Sequence, residues 1–255
     1  MPGRNAAADY ALLPAVQAAS GMLSSFAVNN PIIAALDVPT ANAALALAET
    51  LAPVVGAFKV GKELFVSAGP DIVRKLRDMG SGVFLDLKFH DIPHTVAQSV
   101  TAAARLEVDL LTVHASGGPA MLRAAEEAAQ AAEVTPLVLG VTVLTSMDED
   151  DLRTIGVNRN PGEQVEQLAR LAAENGLRGL VCSPRELPML RAALGPEMQL
   201  VTPGIRPAGS DAGDQKRTLT PAEAVAAGAN WLVIGRPITA AENPRAAAEA
   251  ILATL

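Results

Sequence analysis

The strongest constraint on this chain is an alternation that recurs from Pro31 onward: a short apolar run, a longer alanine-rich stretch, then another apolar run. The runs are Ile32–Leu36, Val55–Val60, Gly82–Lys88, Asp109–His114, Pro136–Leu144, Gly179–Ser183, Gln199–Pro203 and Trp231–Gly235, eight in all. Stretches between them, such as Ala41–Leu51, Asp71–Met79, Met121–Ala131, Glu163–Glu174 and Pro244–Leu255, read as helices. Most of the runs are apolar on both faces, as expected of parallel strands covered by helices. Units of roughly 25–35 residues allow eight βα repeats in one domain, so the predicted class is α/β, a single-domain (βα)8 TIM barrel. An open doubly wound sheet is the alternative, but no G-x-G-x-x-G follows the first strand, where a dinucleotide fingerprint would lie.

The 255 residues fit that single domain. Residues 1–30 lack the pattern and are expected to be an N-terminal extension, with residues 31–255 forming the barrel. The Gly-, Ser- and Asp-rich stretch Pro207–Arg217 reads as a long loop after the seventh strand, on the face where barrels keep their chemistry.

Composition removes several function classes. A net charge of −7 leaves no basic face for nonspecific nucleic-acid binding, and aromatics at 3% provide no stacking platform for single strands. The longest uncharged stretch, Tyr10–Leu36, is broken by prolines, serines and asparagines, so no membrane span is expected. Cys182 is the single cysteine, which forbids an internal disulfide or a cysteine zinc cluster. These features predict a soluble, cytoplasmic protein.

Charge placement is more informative. The first run leads into Asp37, the second contains Lys59 and leads into Lys62, and the third reads Leu85-Asp86-Leu87-Lys88-Phe89-His90-Asp91. Alternate side chains on a strand share a face. Asp86 and Lys88 should therefore point into the barrel while Leu85, Leu87 and Phe89 meet the helices. Desolvated charges at a barrel mouth are costly unless paired, and three strands delivering them to one rim argue for a site. The bland alternative is a stabilising Asp86–Lys88 ion pair at a strand end. His90 and His114 read as structural residues, His114 as a hydrogen-bonded core histidine. The last run ends Gly235-Arg236, and the seventh leads into Gly204-Ile205-Arg206, with Gln215 in the following loop. Barrels often bind phosphate after strands seven and eight, and arginine can clamp it through two parallel bonds. An ordinary surface turn is the competing reading of Gly-Arg.

Together these residues resemble the orotidine 5′-phosphate decarboxylase family, in its bacterial short-chain form. The resemblance rests on Asp86-x-Lys88-x-x-Asp91-Ile92-Pro93-x-Thr95. It extends collinearly through Ala35-Leu36-Asp37, Phe58-Lys59-Val60-Gly61, Val113-His114-Ala115, Leu144-Thr145-Ser146, Thr202-Pro203-Gly204-Ile205-Arg206 and Gly235-Arg236. It implies decarboxylation of orotidine 5′-monophosphate to uridine 5′-monophosphate, without metal or organic cofactor, in a homodimer with shared active sites. By the same resemblance Lys88 is the proton donor to C6, Asp86 lies beside the departing carboxylate, and Lys59 and Asp91 complete an alternating array. Asp37 and Lys59 would contact ribose hydroxyls. Thr95 would reach the ribose from the other subunit, and Ile92 joins the substrate-binding set. Thr145 and Ser146 would lie near the pyrimidine, while Gln215, Gly235 and Arg236 would hold the phosphate with Arg206 nearby.

Two rival readings follow from the same residues. Metal-dependent sugar-phosphate decarboxylases or synthases of the same superfamily share the strand-three motif, but carry an acidic metal ligand on strand two where this chain has Lys59. A lysine there repels a divalent cation. A noncatalytic barrel that binds a phosphorylated ligand would leave Asp86 and Lys88 without a reaction to serve.

Overall fold

The computed structural model describes residues 30–207 and 218–255. Eight parallel strands close into a barrel in the order β1 to β8. They are β1 (Ile32–Ala35), β2 (Ala57–Gly61), β3 (Gly82–Phe89), β4 (Leu110–His114), β5 (Leu137–Val141), β6 (Gly179–Val181), β7 (Gln199–Thr202) and β8 (Trp231–Ile234). The ring closes by pairing Ile32 with Leu232, Ile33 with Val233 and Ala34 with Ile234. Each predicted run thus overlaps a strand, with β2 and β3 extending one residue past theirs. The fifth is shorter than expected, because Thr142–Leu144 leave the sheet, and Val143 and Leu144 turn to line a cavity. Among the described residues, no helix is long and apolar enough to cross a membrane.

The apolar residues on the two strand faces form two separate cores. Inside the barrel pack Ile33, Ala35, Ala57, Phe84, Leu110, Leu137, Leu139, Val201, Trp231 and Val233. Outside, Ile32, Ala34, Phe58, Val60, Val83 and Leu85 join the helices, for instance Ala44 and Ala48 of the helix Ala41–Leu51. Fully burying one of the large side chains contributes about 1.5–3 kcal/mol. The interior is therefore packed rather than hollow, and the cavities that adjoin it lie at the strand C-terminal ends.

Helix starts show why the connections are sharp. Asn160, Thr220 and Asn243 each accept a backbone N–H of the first turn, and each is followed by proline at the first helical position. Asn30, set at the end of the N-terminal extension, bonds the barrel instead: its Nδ2 donates to the Val54 carbonyl at 2.9 Å and its Oδ1 accepts from Ile32 N–H at 3.0 Å. The remainder of that extension, and Gln215 within the long loop, lie outside the described residues. The loop's two ends are joined: Ile205 bridges Leu219, and Arg206 N–H donates to the Leu219 carbonyl at 3.0 Å.

Candidate active site

Four charged side chains, three on β2 and β3 and one just after β1, form a line across the barrel mouth. Lys59, on β2, donates from Nζ to Asp37 Oδ1 at 2.7 Å and lies 3.8 Å from Asp86 Oδ2. Lys88 Nζ donates to the other oxygen of Asp86 at 2.6 Å. The sequence of charges is therefore Asp37, Lys59, Asp86, Lys88, each ion beside one of opposite sign. Lys59 is buried and its side chain only 10% exposed. A cation so desolvated needs the carboxylates on both sides of it. Gly61 makes the close pairing possible, since a Cβ there would stand 2.9 Å from both Asp37 Oδ1 and Lys59 Nζ.

Asp86 and Lys88 share the interior, as alternation predicted, but alternation is not the whole reason. From Leu85 to Phe89 the β3 strand advances four residues while β4 advances two, from Leu111 to Val113. Lys88 sits in this bulge with φ at 54°, in the left-handed region that a β-strand residue rarely visits. Its N–H is satisfied from the neighbouring strand by Thr112 Oγ1 at 2.9 Å, and the Thr112 hydroxyl donates to Asp86 Oδ1 at 3.1 Å. Thr112 escaped the sequence reading. Its only signal was a polar residue flanked by apolar ones on a buried strand.

Two cavities adjoin this line and share Lys59, Pro203 and Val233. One, of about 200 Å³, holds Lys59, Asp86 and Lys88 on one side and Val141, Val143, Leu144, Thr145, Val181 and Cys182 on the other. The second, of about 300 Å³, runs from Asp37 and Lys59 to Arg206, Gly235, Arg236 and Thr239. Gly235 is not demanded by packing inside the chain, for a Cβ there would meet only Ala35 Cβ at 3.6 Å. The floor between two arginines is thus left open. Burial pushes the Cys182 thiol far up, so it lines the cavity as a small apolar group.

Other expected residues stand apart. Asp91, Ile92 and Thr95 are exposed and line neither cavity of their own barrel. Asp91 Oδ1 accepts from the Ile92 N–H at 2.6 Å, and Ile92 remains 66% exposed. Ser146 is exposed beside Thr145 but does not line the cavity. His114 is not the hydrogen-bonded core residue expected. It is half-buried, and its ring meets that of the exposed His90 with centroids 5.3 Å apart. It follows Thr112 on the inward face of β4, whose end opens to the rim rather than to packed core. Burial first, then His90, Lys88 and Lys62, push its pKa below that of an ordinary imidazole.

Comparison with known proteins agrees with this geometry. Residues 30–251 match the family described as Orotidine 5′-phosphate decarboxylase / HUMPS family. A protein of Moorella thermoacetica named orotidine 5′-phosphate decarboxylase is 55% identical over 230 residues, covering 88% of this chain and 91% of its own length. Proteins of the same name from Pseudoalteromonas translucida and Pseudomonas paraeruginosa are 54% and 55% identical; the alignments cover 86% and 90% of this chain and 94% and 99% of theirs. The crystal structure of orotidine 5′-phosphate decarboxylase from Lactobacillus acidophilus superposes with a TM-score of 0.79 at 39% identity, covering 89% of this chain and 99% of that one. An uncharacterized conserved protein from Geobacillus kaustophilus superposes with a TM-score of 0.76 at 37% identity, over 88% of this chain and 99% of its own. By family match and by the identity of these relatives, the chain belongs to the orotidine 5′-phosphate decarboxylase family.

Proposed function

We propose that this protein decarboxylates orotidine 5′-monophosphate to uridine 5′-monophosphate and CO2. The observation that carries the reading is the alternating line Asp37–Lys59–Asp86–Lys88 at the mouth of a barrel whose relatives bear that enzyme's name. The two adjoining cavities suit the two ends of such a nucleotide. The base enters beside Asp86, Lys88 and Thr145, and the ribose passes Asp37 and Lys59. The phosphate lies by Gly235 and Arg236 with Arg206 near, and Gln215 closes on it from the long loop.

The chemistry follows from charge. When the bond from C6 to the carboxylate breaks, its electron pair stays on C6 in an sp2 orbital outside the π system, where nothing in the ring delocalises it. A fixed ammonium stabilises that charge and then transfers its proton to C6, and the resulting Lys88 amine is reprotonated from solvent. Asp86 lies 2.6 Å from Lys88 Nζ and fixes the position of the ammonium that the step needs. Contacts at the phosphate, remote from C6, supply binding energy for closing the site.

The assembly belongs to the proposal as well. In a two-fold dimer Asp91, Ile92 and Thr95 of each subunit complete the site of the other, with Asp91 beside the partner's Lys88. That accounts for three signature residues exposed at the rim of their own barrel. The reaction needs no metal or organic cofactor, and the protein works in the cytoplasm. The test is the fall in absorbance of orotidine 5′-monophosphate on adding purified protein, with equimolar release of CO2. Unchanged absorbance from folded protein would overturn the reading.

A further inference from the structure

We infer that Thr112 is a positioning residue for the decarboxylation, acting through Asp86 and Lys88 without touching substrate. This rests on the proposed roles of those two residues. The side chain is fully buried and makes two directed bonds, accepting from Lys88 N–H at 2.9 Å and donating to Asp86 Oδ1 at 3.1 Å.

Its place in the sheet explains why one hydroxyl does both. Three residues of β3, Asp86 to Lys88, are laid against one of β4, Thr112, between the Leu85–Leu111 and Phe89–Val113 pairings. A bulged residue loses its ladder partner. Here the Lys88 amide finds a side-chain oxygen in place of a carbonyl, and Lys88 is held at a φ of 54° that its neighbours must over-determine. The hydroxyl proton then falls on the same Asp86 oxygen that takes the Lys88 ammonium. That orients the carboxylate so that its other oxygen faces Lys59 at 3.8 Å. One buried hydroxyl thereby ties the backbone of the proton donor to the carboxylate that holds its head group.

The experiment compares Thr112→Val, which keeps the shape and removes the hydroxyl, with Thr112→Ser, which keeps the hydroxyl. Lys88→Ala is run in parallel, and folding of every variant is checked by circular dichroism. The expectation for Thr112→Val is a kcat lower by roughly 10- to 100-fold, the scale of an ångström-sized misplacement, with KM within about threefold of wild type. Thr112→Ser should restore kcat to within about threefold. A purely structural threonine would lower the yield of folded protein without this split between kcat and KM. Should Thr112→Val fail to fold, Thr112→Ala removes the same hydroxyl from a smaller side chain and carries the same expectation. If Lys88→Ala is inactive while the hydroxyl-free variant turns over within about threefold of wild type, the inference fails and the proposed function stands. A serine variant as slow as the valine one also overturns it. A Lys88→Ala protein that remains active would instead overturn the reading of the site itself.

Discussion

Lys88 Nζ lies 2.6 Å from Asp86 Oδ1, although a single residue, Leu87, separates the two along β3. Side chains two apart on a flat strand project side by side, and the bulge at Lys88 accompanies their convergence. Removing the ammonium with Lys88→Ala should abolish turnover of orotidine 5′-monophosphate, a loss of at least about 3–4 kcal/mol of transition-state stabilisation. Single-turnover absorbance with circular dichroism checks this; a folded variant within tenfold of wild-type kcat would remove Lys88 from the mechanism.

Activity should survive exhaustive dialysis against EDTA. Lys59, buried between Asp37 and Asp86, puts an amino group where a sugar-phosphate enzyme would bring a divalent cation. Loss of turnover on chelation, with recovery on adding Mg2+, would favour the sugar-phosphate reading.

Arg236 and Gly235 share the cavity that begins at Asp37, and the contribution of Arg236 should be confined to the phosphate end. Arg236→Ala is expected to lower kcat/KM for the nucleotide by at least about tenfold while barely changing turnover of the unphosphorylated nucleoside, because a guanidinium–phosphate bond is charge-assisted. Parallel kinetics on both substrates decide it, and equal losses would place Arg236 elsewhere in the mechanism.

Asp91 is exposed on its own barrel, which makes the shared-site dimer open to complementation. Inactive Lys88→Ala and Asp91→Ala proteins, mixed under conditions that exchange subunits, should recover about a quarter of wild-type activity: half the dimers are mixed, and one site in each has both native groups. Mixed dimers shown to form without activity would assign Asp91 to its own barrel.

His114 should make stability fall on the acid side. Its folded pKa is lowered, so below the unfolded imidazole value of about 6.5 the unfolded chain binds more protons and stability declines as pH falls through the folded pKa. Urea unfolding at pH 7.5 and 5.0 should show a smaller pH-dependent loss for His114→Asn than for wild type. Equal losses would show that the acid sensitivity comes from other groups.

The barrel was legible because a strand covered by helices must be apolar on both faces, so runs such as Trp231–Ile234 stand out from their neighbours without any knowledge of what they pair with. The same logic exposed Lys59, Asp86 and Lys88, since a charge inside such a run has to be explained. Strand ends were less legible: Val143 and Leu144 continue the apolar pattern of β5 but lie beyond the sheet and line a cavity, a choice made by the neighbouring strands. Thr112 stayed hidden because its importance lies in register. Only the pairing of β3 with β4 decides that three residues face one, that Lys88 takes a left-handed turn, and that a hydroxyl one strand away meets both its amide and Asp86. His114 was misplaced for a related reason. An alternation pattern tells which way a side chain points, but whether the end of the strand is packed core or open rim depends on what the other seven strands bring there.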